Sequence, residues 1–213
     1  MKDMAELIEI TDGAPTGQRG PAEHERRAQI LKAADEHFRH YGYSKTSVAA
    51  LGRAIGVSAA YIYRFFDSKQ AIGEAVVAQV LSEMDAGLHE IAVRSEPATA
   101  RLRRLLMTMM QCSCDRFLKD RKVHEIVVVA MESSWCATVD HQHAVESAIR
   151  RVIIDGRESG EFERKSPLDE ICSAIVAASL CFSHPKLLES ESNEELERRL
   201  TIVTSLVLRS LAP

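Results

Sequence analysis

Residues 46–69 read TSVAALGRAIGVSAAYIYRFFDSK, and this stretch decides the fold. Ser47 is a natural N-cap, since its hydroxyl can accept from a free backbone N–H of the first turn. A short helix Val48–Ile55 follows and closes at Gly56. Ser58 caps a second short helix that reads through Phe66. Two such helices joined by Gly56-Val57, with Leu51, Ile55, Val57 and Ile62 to lock them, form a helix-turn-helix whose second helix is free to enter a DNA major groove. The charge agrees. Residues 20–70 hold eight Lys/Arg against five Asp/Glu, although the whole chain carries −4, so a polyanion partner would meet the protein here.

Working outward, Ile30, Ala34, Phe38 and Tyr41 recur at helical spacing from Pro21, and Gly42 ends the run as a left-handed cap. Residues 1–20, polar and rich in Gly and Pro, read as a flexible arm. Downstream, Asp67 or Ser68 starts a long helix along which Ile72, Val76, Val80, Met84, Leu88 and Ile91 march. Pro97 initiates a helix to about Lys119, and a polar break at Asp120–Lys122 separates it from Val123–Ser134. Within the latter, Ile126–Val129 has strand propensity but no partner strand anywhere, so it reads as helix. A kink or join at Trp135–Asp140 leads to a helix that carries Val145, Ile149, Val152 and Ile153 and ends at Gly160. Ser166-Pro167 opens the next, which reads to Ser183, where His184-Pro185 stops it. Ser192-Asn193-Glu194-Glu195 reads as a capping box for the last helix, with Leu196, Leu200, Val203 and Val207 on one stripe. The expected fold is all-α with about nine helices. A helix-turn-helix domain over 21–67 is expected on a larger helical domain over 68–213.

Composition removes other classes. A hydrophobic fraction of 46% over 213 residues supports a real core, and 5% aromatics argue against an all-β protein. The uncharged run Ile171–Pro185 is too short to span a bilayer, and the acidic start lacks the apolar segment of a signal peptide. Five irregularly spaced cysteines suit the reducing cytoplasm. Enzyme chemistry finds no Gly-rich phosphate loop, zinc-spaced quartet or nucleophile elbow, so no catalytic residue, cofactor or metal is expected. His141 and His143, two apart, diverge by about 200° on a helix, as do Cys112 and Cys114.

The stretch 46–69, with the tail Tyr63-x-x-Phe66-x-x-Lys69 and the preceding Ile30-Leu31 and Phe38–Gly42, resembles the DNA-binding signature of TetR-family transcription regulators. The resemblance implies that Tyr63 places its hydroxyl on a phosphate and that Lys69 clamps another. Thr46 and Ser47, at a helix N-terminus, would favour a phosphate oxygen. Ser58 opens the helix whose Ala59, Ala60 and Tyr61 face the bases, while Phe65 and Phe66 belong to the core. Two residues depart from the family: Ala60 stands where it usually has Gly, and Gly52 where it usually has Ala. The second helix has no Asn, Gln or Lys, and Arg64 is its only side chain able to grip a base edge with two hydrogen bonds. Readout is therefore expected to lean on thymine methyls, phosphates and DNA shape.

In the larger domain, Ile171–Ser183 is uncharged and built from small residues, as a helix buried all round would be. Its outer side is expected to meet a second subunit through Ala174 and Ala178, with Leu200, Val203 and Val207 of the last helix; burial within one monomer is the alternative. The resemblance agrees, because the last two helices of the family usually form a four-helix dimer interface. Met107, Met110 and Met131, with Cys114 and Trp135, are the expected lining of a pocket for a small hydrophobic or aromatic effector. The combined expectation is a cytoplasmic homodimeric repressor, without membrane contact, that leaves a palindromic double-stranded operator when its effector binds. Two other readings stay open: a cytoplasmic small-molecule-binding or catalytic protein with a vestigial helix-turn-helix, and an activator of the same fold.

Overall fold

The computed structural model describes residues 20–115, 121–188 and 191–213. Among these there are ten α-helices and no strand. They are α1 (Pro21–Tyr41), α2 (Val48–Ala54), α3 (Ala59–Ile62), α4 (Lys69–Ala92), α5 (Ala98–Ser113), α6 (Arg121–Glu132), α7 (Cys136–Ser159), α8 (Leu168–Ser179), α9 (Pro185–Leu188) and α10 (Asn193–Ser210). The expected arm falls almost wholly outside the described residues, as does the end of the helix expected to reach Lys119. Asp120, the start of the expected polar break, is outside too, and α6 already runs from Arg121.

Four helices start where a serine predicts. The hydroxyls of Ser47, Ser58, Ser68 and Ser192 accept from the backbone N–H groups of Ala50, Tyr61, Ala71 and Glu195. The expected capping box is only half made, because the Glu195 carboxylate takes Arg198 in a bidentate pair instead. Helix α5 is started differently. Pro97 precedes it and offers no side-chain cap, and Glu161, from the loop after α7, accepts from the N–H groups of Ala98 and Thr99 at 2.8 and 3.0 Å. Burial, the largest single influence, pushes the Glu161 carboxyl up, but these two bonds together with those from the Thr99 and Ser159 side chains outweigh it and hold it below its usual range.

Other differences have local causes. The second helix of the motif is α-helical only to Ile62. The chain then tightens, with Arg64 and Phe65 donating to the carbonyls of Tyr61 and Ile62 three residues back, and this carries Phe66 into the core. Gly42 has φ 88° and ψ 151°, a glycine conformation but not the left-handed helical one expected. Trp135–Asp140 is no kink within a helix: Ser134 breaks the chain at φ 51°, and α7 runs unbroken from Cys136. Beyond α8 the chain turns through a 3₁₀ segment, Leu180–Phe182, and His184-Pro185, read as a stop, begins the short α9.

Two apolar clusters share α4. One gathers α1, α2 and α3, α4 as far as Met84, α6 and Trp135. The other gathers the end of α4 with α5, α7, α8 and α10. Helix α4 packs most extensively on α7 and also meets α1, α5 and α6, so it runs through both clusters.

Candidate DNA-reading surface and effector cavity

The angle between α2 and α3 is set by a close approach. Val57 donates to the Gly52 carbonyl at 2.8 Å, and a Cβ at Gly52 would stand 2.6 Å from the Val57 oxygen. Gly56 makes the turn at φ 71°, where a side chain is strained. Gly52, a departure from the family pattern, is therefore what this turn requires.

On the reading face, Ala60, Tyr63 and Arg64 are exposed, Tyr63 by 48%. Tyr61 is half-buried, its ring 5.2 Å from Phe65 and beneath the Arg64 guanidinium. Ala59, expected to face bases, packs against the core cluster. Thr46 is a correction: it is 4% exposed and its hydroxyl donates to the Gly42 carbonyl at 2.9 Å, so that group is committed to the fold. Ser47 and Ser58 remain exposed while capping their helices.

Lys69 has a structural tie that its sequence position does not reveal. Its ammonium lies 4.4 Å from the centre of the Tyr43 ring and 3.4 Å from the Ser44 carbonyl. Desolvation lowers its pKa, partly offset by Glu125. Tyr43 in turn meets Trp135 edge-on at 5.5 Å, and a Cβ on Gly73 would come within 2.9 Å of both rings. Ser44 donates to Glu125 of α6 at 3.0 Å. The loop between α1 and α2 is thus clasped by α4, α6 and Trp135.

Between α4, α5, α6, α7 and the end of α8 lies a cavity of about 440 Å³. Leu81 and Met84 of α4, Met109 of α5, and Val127 and Met131 of α6 make its apolar side. Thr138, His141 and Glu146 of α7 and Ser179 of α8 stand among the polar groups. Of the five residues expected here only Met131 lines it. Helix α5 turns Met109 and Ser113 to the cavity, while Met110 and Cys114 are buried in the core and Met107 packs against it. Trp135 instead belongs to the cluster of the reading head. The sequence missed the pair at His141, whose Nδ1 lies 2.5 Å from Asp85 Oδ1; its members are far apart in the chain and carry no local signal.

Nearby, His184 Nδ1 is buried without a partner, and burial, then Lys186 and His124, push its pKa down. Burial also raises the thiols of Cys114 and Cys172. No three His, Cys, Asp or Glu side chains among the described residues are placed to hold a metal ion. No helix among the described residues is long and apolar enough to cross a membrane.

Helix α8 is not buried all round by its own chain. Ser173, Ala174, Ala177 and Ala178 are exposed, and beside them α10 exposes Ile202 and Leu206, the latter by 61%. A groove between the two helices is lined by Ala174, Ala178, Leu206 and Val207. Val203 is half-buried, but Leu200, expected at an interface, is 1% exposed in the chain's own core.

A capped, exposed reading helix on a helical body with its own cavity makes this a helix-turn-helix DNA-binding regulator. Comparison with known proteins gives the same class. The family model described as bacterial regulatory proteins, tetR family, matches residues 30–76, and that for the tetracyclin repressor-like C-terminal domain matches residues 98–204. The chain belongs to the TetR family of transcriptional regulators, which are not enzymes. The HTH-type transcriptional regulator YhgD of Bacillus subtilis is 25% identical over 164 residues, covering 73% of this chain and 80% of its own. Among solved structures, a TetR-family regulator of Mesorhizobium loti superposes with a TM-score of 0.72 at 16% identity, over 91% of this chain and 100% of that one. The repressor FadR of Thermus thermophilus, in complex with lauroyl-CoA, superposes with a TM-score of 0.62 at 16% identity, over 88% and 96%.

Proposed function

We propose that this chain is a homodimeric repressor that a small apolar effector releases from its operator. One observation carries the reading: the cavity and the reading head share α4. Leu81 and Met84 wall the cavity, and Lys69, at the start of the same helix, holds the loop that precedes α2. A ligand that prefers a wider spacing of α4 and α7 tilts α4 and moves the reading head. Such a switch extends only as far as the ligand's differential affinity for the two states, about 1.4 kcal/mol for tenfold weaker operator binding. The complex of FadR with lauroyl-CoA is an instance of a small molecule held by a protein of this fold.

The dimer is the second part of the proposal. The small-residue face of α8 and the exposed Ile202 and Leu206 of α10 form an apolar surface suited to a second copy. Two reading heads related by a two-fold axis then meet half-sites at least one helical turn apart, about 34–36 Å. Tyr63 and Lys69 contact phosphates, Ala60 and Arg64 face base edges, and the protein acts in the cytoplasm, bound near a promoter where it blocks polymerase. The test is titration of the chain against its own upstream DNA, with and without candidate effectors. Salt-dependent binding to a near-palindrome, weakened by a ligand that fills the cavity, is the expected result. Absence of specific DNA binding, or ligand binding with no change in operator affinity, refutes it.

A further inference from the structure

We propose that Arg27 is a positioning residue for base recognition: from α1 it clamps the far end of the reading helix and so sets where Arg64 meets the base edges. The assignment rests on the chain being an operator-binding regulator. Helix α3 ends at Ile62 and the chain then tightens, which leaves the Phe65 carbonyl beyond the last helical bond. Among the described residues no backbone N–H donates to that carbonyl. The Arg27 guanidinium does, through Nη1 at 2.6 Å and from 38 positions away in the chain. The same group lies 4.0 Å from the centre of the Phe66 ring, which is buried in the core.

The residue type suits this task. A guanidinium stays charged throughout the working pH range, and it can donate from its edge while its face lies on a ring, which the point charge of a lysine does not combine. From Phe65 the packing continues to the reading face. The Phe65 ring is 5.2 Å from that of Tyr61, and the Arg64 guanidinium stands 5.6 Å from the Tyr61 ring. Arg64 itself is exposed and one residue from the clamped carbonyl, whereas Arg27 is half-buried with its guanidinium turned to the protein. Helix α1 packs on α2, α4 and α6, so the clamp fixes the end of α3 to the body of the domain. Without it the half-buried Phe65 carbonyl loses its donor, and the turn that carries Arg64 regains one only by swinging toward water.

The test titrates the full chain, Arg27→Leu and Arg27→Lys against the upstream operator duplex and a scrambled duplex over a range of salt. Both variants should bind the operator about tenfold more weakly, a cost of about 1.4 kcal/mol, and the scrambled duplex nearly as before. The salt slope should hold, since a lost phosphate contact would lower it by roughly one. Arg64→Ala closes the cycle. If Arg27 acts by placing Arg64, Arg27→Leu costs nothing further in the Arg64→Ala background, whereas a role confined to folding adds its loss in both. Thermal unfolding in parallel sets a temperature at which every variant is folded, and Arg27→Lys, which keeps stem and charge, carries the comparison if Arg27→Leu does not fold. Equal weakening on both duplexes, a lowered salt slope, full operator affinity in both Arg27 variants, or additive losses with Arg64→Ala overturns the proposal. A native chain that prefers neither duplex refutes the operator reading and this assignment with it; a native preference that the variants keep refutes the assignment alone.

Discussion

Replacing Gly52 by Ala sets two effects of opposite sign against each other, and the structure says which wins. In a helix interior Gly→Ala is worth about 1 kcal/mol of stabilisation. At Gly52 the new Cβ would stand 2.6 Å from the Val57 carbonyl oxygen and 3.3 Å from the Ala59 nitrogen. Both are backbone atoms, so relief requires moving the turn that seats α3 rather than a side-chain tip. Such overpacking costs roughly 1–3 kcal/mol, which leaves a net loss of up to about 2 kcal/mol. Gly87 is the internal control, since it lies within α4 with nothing within 4 Å of its Cβ position. Gly87→Ala should raise the melting temperature by about 2–4 °C, the shift that 1 kcal/mol gives a chain of this size. Gly52→Ala should lower the melting temperature and weaken operator binding, because α3 is levered off its seat. Thermal unfolding with a parallel operator titration reads both. A Gly52→Ala protein as stabilised as Gly87→Ala, with full operator affinity, would refute the close-packing argument.

Three further outcomes can be measured. Tyr63→Phe and Lys69→Ala should weaken all DNA sequences alike, and Lys69→Ala should lower the salt slope by roughly one; unaltered affinity in both at fixed salt removes their phosphate roles. Ala178→Arg and Leu206→Glu each place a charge in the apolar face of α8 and α10, at a cost of roughly several kcal/mol to a dimer; sedimentation should show monomers that fail on operator, and intact dimers in both would move the interface elsewhere. The third concerns pH. The depressed pKa of His184 means that the folded chain binds a proton there less readily than the unfolded one, so this contribution to stability is complete above the ordinary imidazole value of about 6.5 and is lost as pH falls below it. His184→Gln should flatten the fall in melting temperature between about pH 6.5 and 5; an identical fall in the variant rejects that role.

The helix-turn-helix and the helical order were legible in the sequence because caps and periodicity are local physics. Ser47, Ser58, Ser68 and Ser192 lie within three residues of the backbone groups they satisfy, so the chain alone specifies them. The exposed small-residue face of α8 was visible too, as a run without charge. Rotational phase was not. An amphipathic stripe covers a wide arc, and neighbours one position apart differ by about 100°. That difference puts Met109 on the cavity and Met110 in the core. Leu200 falls inward by the same kind of margin. Partners distant in the chain were beyond reach for a simpler reason: nothing in the order of residues brings them together. Glu161 capping α5, Lys69 over Tyr43, and Asp85 against His141 exist only once packing has set α4 against α7 and the loops against both. The sequence by itself determined that this is a DNA-reading helical protein; tertiary packing decided which side chains face the cavity and how it is tied to the reading head.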